Sequence, residues 1–196
     1  MGKFIEYRKD ENHMVLIAGK CLGGFYDHRL IRFPVSNYTQ EQAIQIELEI
    51  CPVDASNADR CRPVMSAKGI SDYLNQKEAV QGWLFLDSQT KETAAMYWLF
   101  FKGAVEAEYR VRGDGEAALI SDIYVFESYR GRRIVSRLLD HAFSVCRERG
   151  VRYLYASVRK TNPSAWKAYD RIGYEDTGTR RFFRLLGHNI PQQYVP

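Results

Sequence analysis

At 196 residues the chain is long enough for one well-cored domain and short for two, and its 45% hydrophobic and 27% charged residues are globular composition and not that of a disordered segment. The net charge of +4 is modest, but Arg130, Arg132, Arg133 and Arg137 fall within eight residues and Arg180, Arg181 and Arg184 form a second group, so the alternatives are an anionic partner (a phosphorylated cofactor or nucleic acid) or merely solvated basic faces. The longest apolar run, Ala94 to Phe101, is far short of the roughly 20 residues of a spanning helix, and no signal-peptide pattern opens the chain, so a cytoplasmic protein is expected.

Cys21, Cys51, Cys61 and Cys146 include no C-x-x-C pair, and the four histidines are scattered without ligand spacing, so reduced thiols and no metal are expected. The first 80 residues carry the weakest patterns. Thr39 to Gln42 has the form of a capping box, after which Ile44, Ile46, Leu48 and Ile50 suit a strand as well as a helix. Next come a loop over about Cys51 to Pro63 and a short helix from Val64 to about Gln76. From Gly82 the pattern becomes one of strands: Trp83 to Leu86, Thr93 to Phe101, and an alternating Glu106 to Arg112. Gly113-Asp114-Gly115 then signals a hairpin into a central strand, Ala117 to Val125.

Beyond that strand, Ile134, Val135, Leu138, Leu139, Ala142, Phe143 and Cys146 draw one apolar helical stripe, which Gly150 closes. Val151 to Val158 reads as a strand, and Asn162-Pro163 opens a helix that ends at Gly173. Two final strands, about Tyr174 to Asp176 and Arg181 to Leu186, precede a polar tail. This order, a meander and then strand, helix, strand, helix and closing strands, predicts an α/β fold on a mixed sheet.

Chemistry concentrates where the central strand ends in an Arg/Gly-rich turn that opens a helix. The first helical turn has N–H groups without intrahelical partners and a partial positive charge, a natural seat for a pyrophosphate. The stretch Arg130-Gly131-Arg132-Arg133-Ile134-Val135-Ser136 supplies those amides and added charge.

Two segments together carry a family resemblance. The first is Ile123-Tyr124-Val125 followed by Arg130 to Val135. The second, about thirty residues on, is Asn162-Pro163-Ser164-Ala165-Trp166-Lys167-Ala168-Tyr169-Asp170-Arg171-Ile172-Gly173-Tyr174. Over about residues 82–186 the sequence resembles the GNAT superfamily of N-acetyltransferases, while 1–81 is a divergent part of what is expected to be one domain, 1–196. The resemblance implies a mixed, mostly antiparallel central sheet with a splayed parallel pair, flanked by helices. It implies acetyl-coenzyme A as donor, with Ile123, Tyr124 and Val125 along the pantetheine arm, Arg130 to Ser136 around the pyrophosphate, and Asn162 on the coenzyme arm. Tyr169, two turns from Asn162 on nearly the same helix face, is implied near the donor sulfur as general acid; taken alone, it reads as a core aromatic on an amphipathic helix.

The first segment departs from the family pattern at Arg133 and Val135, where glycine or a small residue is usual. The general base is open. Some relatives carry a Glu at the position of Ser157; Asp122 at the edge of the splay is the chosen candidate, with Glu106 and Glu108 as others. The expected acceptor is a primary amine: a small molecule, an amino sugar or a protein amine. Arg110 and Arg112 are candidates to meet an anionic group on it. The rivals are an acyl carrier protein as donor, and a coenzyme-binding module without catalysis. A homodimer is left open, and neither nucleic acid nor a membrane is expected as partner.

Overall fold

The computed structural model describes residues 5–9, 12–17, 20–39, 46–106, 108–112, 115–185, 188–190 and 193–195, and the side chains of these outside 5–24 and 184–192. Its strands are β1 (Ile5–Lys9), β2 (Asn12–Ile17), β3 (Lys20–Pro34), β4 (Leu48–Pro52), β5 (Val80–Asp87), β6 (Thr93–Phe100), β7 (Tyr109–Val111), β8 (Ala117–Val125), β9 (Tyr153–Arg159), β10 (Glu175–Leu185), β11 (His188–Ile190) and β12 (Gln193–Val195). Three α-helices are described, α1 (Ala67–Leu74), α2 (Ile134–Glu148) and α3 (Pro163–Ile172).

Ten strands form one sheet with the path β1-β2-β3-β9-β8-β6-β5-β4, and β10 lies along β3. All its pairings are antiparallel except β8 with β9. One helical layer rests on each face. The face under α2 and α3 buries Phe33, Phe85, Tyr97, Leu99, Ile120, Leu138, Phe143, Ala156 and Tyr169. The opposite face, under α1 and β7, buries Leu30, Tyr73, Met96, Trp98, Phe100, Tyr109, Leu119 and Phe182. A strand covered on both sides needs apolar residues at every position rather than at alternate ones, which is why β6 reads Ala94 to Phe100 without a polar break and is buried throughout.

Packing on this strand sets one strict requirement. A Cβ added at Gly82 would lie 2.7 Å from Cδ2 and Cε3 of Trp98 on the neighbouring strand. Gly82→Ala is therefore expected to cost about 1–3 kcal/mol of overpacking strain, seen as a lower denaturation midpoint with unchanged slope.

The sequence reading of a capping box after Thr39 falls on residues 40–45, which lie outside the described residues, and the next described element is the edge strand β4. Elsewhere, three features depart from the sequence expectations. The stretch 106–112 contributes only β7, which leaves the main sheet and pairs in parallel with β12, so β8 takes β6 rather than β7 as antiparallel neighbour. The two closing strands are one, β10. Gly178, at φ 98°, sits in a bulge between Asp176 and Thr179 that interrupts the pattern, and the Thr177 hydroxyl donates to the Leu30 carbonyl at 2.6 Å inside it. The polar tail holds β11 and β12.

The N-terminal segment, to which the sequence assigned no element, supplies β3. β3 lies between β9 and β10 and is antiparallel to both, with Leu30 opposite Ser157 and Tyr26 opposite Phe182. The segment with the least legible sequence thus runs beside the strand that forms one wall of the site.

Candidate active site

The parallel pairing of β8 with β9 covers only Ala117–Ile120 against Tyr153–Ala156. Beyond Ile120 the two strands part. The cause is local: Asp122 takes φ 50°, and the β6–β8 register slips between Met96 and Trp98, so β8 bulges there while Tyr124 and Val125 stay paired to Met96 and Ala95. A left-handed conformation is unfavourable for a residue with a Cβ, and at Asp122 it serves to turn the strand. The backbone of residues 121–125 keeps β6 on one edge and, among the described residues, has no strand partner on the β9 side. Ile123 and Val125 pack toward α2 and Tyr124 toward the opposite face.

The strand leads through a short turn into the loop before α2. Gly131 at φ 79° and Arg133 at φ 58° are both left-handed, and Arg133 is the N-cap of α2 but makes no side-chain cap hydrogen bond. The Ser136 amide bonds back to the Arg133 carbonyl at 3.1 Å, and the amides of Ile134 and Val135 have no backbone acceptor among the described residues. The loop thus presents uncapped donors at the positive end of a 15-residue helix. The preference for glycine at the position of Arg133 now has a physical reason in its positive φ. Arg133 keeps that conformation with its side chain exposed, while half-buried Val135 packs on the core and Ile134 is buried within it.

Arg130 is exposed and tied to the end of β8, its Nε donating to the Val125 carbonyl at 3.2 Å and its Nη2 to the Tyr124 hydroxyl at 3.4 Å. Arg132 lies over the Tyr129 ring, 5.4 Å from its centroid. The second arginine group is structural at Arg181, which pairs with Asp27 at 2.8 Å. Arg112 stacks on Tyr194, 3.3 Å from the ring centroid.

Asn162 is the N-cap of α3, its Oδ1 accepting from the Ala165 amide at 3.2 Å. Tyr169 is 6% exposed and packs on Phe33 with ring centroids 5.4 Å apart. It shares a cluster with Ile120, Ala156 and Val158, which flank the splay. Its hydroxyl has no hydrogen-bond partner among the described residues, and burial holds its pKa above the ordinary phenol range, so it keeps its proton at neutral pH. It is a core aromatic and a protonated phenol at once.

Asp122 is half-buried and accepts from the Tyr73 hydroxyl of α1 at 3.0 Å. Burial raises its pKa, the Tyr73 bond opposes this, and the nearby Glu108 charge adds to the rise. On the same face of the sheet lies a polar group that the sequence did not assemble. Ser157 Oγ is 2.9 Å from His28 Nδ1 and 2.9 Å from the Tyr109 hydroxyl. His28 Nδ1 is 3.0 Å from Glu108 Oε2, and the Tyr26 hydroxyl donates to Glu108 Oε1 at 3.0 Å. Tyr26 and His28 come from β3; no local signal in the sequence placed them there. Of this group the sequence pointed only to Glu108 and to the position of Ser157.

A family model described as the acetyltransferase (GNAT) family matches residues 65–174, more than half of the chain. No curated protein matches. Among solved structures, a conserved Staphylococcus epidermidis protein of unknown function is similar with a TM-score of 0.57 and 12% identity, over 82% of this chain and 61% of that one. A Drosophila protein is similar at 0.59 and 18%, over 84% of this chain and 52% of that one. A predicted acetyltransferase from Clostridium acetobutylicum, solved with acetyl-CoA, gives 0.51 and 17%, over 67% and 92%. The chain thus spans about half to three fifths of the length of the first two, and identities this low carry the fold alone. With the family model covering the splayed strands, the loop before α2 and α3 in one stretch, the chain belongs to the GNAT family of acetyltransferases.

Proposed function

We propose that the chain transfers an acyl group, acetyl in the first instance, from acyl-coenzyme A to a primary amine by direct attack. The observation that carries this reading is the parting of β8 from β9 after Ile120, succeeded at once by an uncapped helix N-terminus. An extended thioester arm fits a strand edge with unpaired donors, and a pyrophosphate fits the loop amides. The residues present suit that donor: Ile123, Tyr124 and Val125 line the arm; Arg130, Gly131, Arg132, Arg133, Ile134, Val135 and Ser136 surround the phosphates; Asn162 flanks the arm from α3.

Asp122 takes the proton from the acceptor's ammonium, and the freed amine forms the C–N bond at the thioester carbonyl. Amides on the open edge of β8 stabilise the oxyanion. As the C–S bond breaks, the Tyr169 hydroxyl gives its proton to the departing thiolate, and the second proton shed by the new amide nitrogen returns to the phenolate. The chain forms no covalent intermediate in this scheme.

Calorimetric titration with coenzyme A and acetyl-coenzyme A tests the donor site. Micromolar affinity that falls as salt rises is expected, and heat indistinguishable from dilution would overturn the reading. Arg130→Ala is expected to weaken coenzyme A binding about 10- to 100-fold, the worth of one charge-assisted hydrogen bond. Unchanged affinity would remove Arg130 from the phosphate site.

A further inference from the structure

β7 and β12 stand apart from the main sheet. Among the described residues each has the other as its only strand partner, with Gln193 opposite Tyr109 and Val195 opposite Val111. Main-chain bonds close both ends of this ladder. The Gln193 amide donates to the Glu108 carbonyl at 2.8 Å, and the Arg112 amide to the Val195 carbonyl at 2.9 Å. Val195 is fully buried in one cluster with Tyr109, Val111, Leu119 and Phe182. Tyr194 is exposed and carries the Arg112 guanidinium on its ring.

The two strands are not held equally. β7 is fixed from its other edge, where the Val111 amide donates to the Ala104 carbonyl at 3.0 Å and the Glu106 amide to the Tyr109 carbonyl at 2.8 Å. Gln76, just beyond α1, grips the same turn twice: its Oε1 accepts from the Val105 amide at 2.8 Å, and its Nε2 donates to the Val105 carbonyl at 2.9 Å. Of the residues of β12, by contrast, only Val195 is buried. A ladder this short is marginal by itself, and an element with few buried contacts opens before the core does. β7 is therefore a preformed slot and β12 the strand that fills it. The slot lies at the foot of the splay. Leu119, which shares the Val195 cluster, directly precedes the last residue of β8 paired to β9, and the Tyr109 hydroxyl lies 2.9 Å from the Oγ of Ser157, which directly follows the last paired residue of β9.

We propose that β12 is a removable strap: docked in the β7 slot it closes the face opposite α2 over the foot of the splay, and its release widens that side of the site. The consequence for catalysis rests on the acyl-transfer reading, in which the docked strap limits the bulk of the amine that reaches the thioester. The strap itself does not depend on that reading. Val195 is a positioning residue in this scheme, since it acts through the docking of β12 on β7 and touches no reacting atom.

Amide hydrogen exchange of the full chain, followed residue by residue by NMR, tests the strap. In the parent, the amides of Arg112 and Gln193, which bond across the β7–β12 ladder, should exchange together and about 10-fold faster than those of Val105 and Val111, which bond on the fixed side. Val195→Ala trims the buried side chain of the strap. It should speed Arg112 and Gln193 by about a further 10-fold and leave Val105 and Val111 as they were. Thiol release from acetyl-coenzyme A is then read with n-butylamine and with the bulkier benzylamine. The ratio of kcat/KM for benzylamine to that for n-butylamine should rise several-fold in Val195→Ala, with coenzyme A affinity unchanged. If the amides of Arg112, Gln193, Val105 and Val111 move as one set in parent and variant, or if the variant leaves the amine ratio alone, the strap is overturned. Absence of thiol release from every sample counts against acyl transfer, and the exchange pattern then decides the strap by itself.

Discussion

Tyr169→Phe is expected to lower kcat with thioester donors by about 10²–10⁴-fold, the usual worth of a general acid. The ring stays, so its packing on Phe33 stays too. Because the hydroxyl has no partner among the described residues to be stranded by its loss, stability should change by about 1 kcal/mol at most. Coenzyme affinity should hold, since the proton matters only once thiolate charge develops. A series of thioesters sharpens the measurement: the defect should grow with poorer leaving groups and shrink with more acidic thiols. A variant that turns over like the parent across that series would return Tyr169 to the plain role of a core aromatic.

The second large effect is expected at Asp122. Asp122→Asn should cut kcat/KM by about 10²–10⁴-fold for acceptors that arrive protonated. The parent's pH profile carries an independent signature. Asp122 faces Tyr73 from α1, Glu108 from beside β7 and the buried thiol of Cys61. Burial first, and the Glu108 charge after it, raise its pKa, against the hydrogen bond from Tyr73. A base must be ionised to act, so activity is lost as pH falls through a raised value. The acid limb of kcat/KM should therefore lie above the ordinary aspartate pKa of about 4. Asp122→Asn should abolish that limb, and a limb that persists unchanged would assign the base elsewhere. Glu108→Gln, which removes the neighbouring charge, should move the limb down in pH.

Much of this site is legible in the sequence where its residues are close along the chain. The α2 stripe from Ile134 to Cys146 and the Asn162–Gly173 helix declare themselves by spacing, and all six of Ile134, Leu138, Leu139, Ala142, Phe143 and Cys146 are buried. The parallel neighbours β8 and β9 arise from one strand–helix–strand unit. The features that the sequence hides are set by long-range pairing. Leu30 meets Ser157 and His28 meets Glu108 across gaps too wide for any periodicity to record. The β10 bulge at Gly178 splits one strand into two apparent ones, and β7 has too few residues to show that it belongs with the far C-terminal β12. The left-handed turn at Asp122 was equally hidden, since aspartate in a strand pattern reads as a solvated position and not as the residue that parts two strands.

The central claim is that an amine attacks an acyl-coenzyme A thioester where β8 parts from β9. Release of free thiol from acetyl-coenzyme A by the full chain, with and without n-butylamine and a panel of larger cationic amines, tests it most directly. Enzyme-dependent release that requires an amine, saturates with it, and yields one amide per thiol is the expected result. Thiol release that is the same with and without amines, or none from a folded chain that binds coenzyme A, would contradict it.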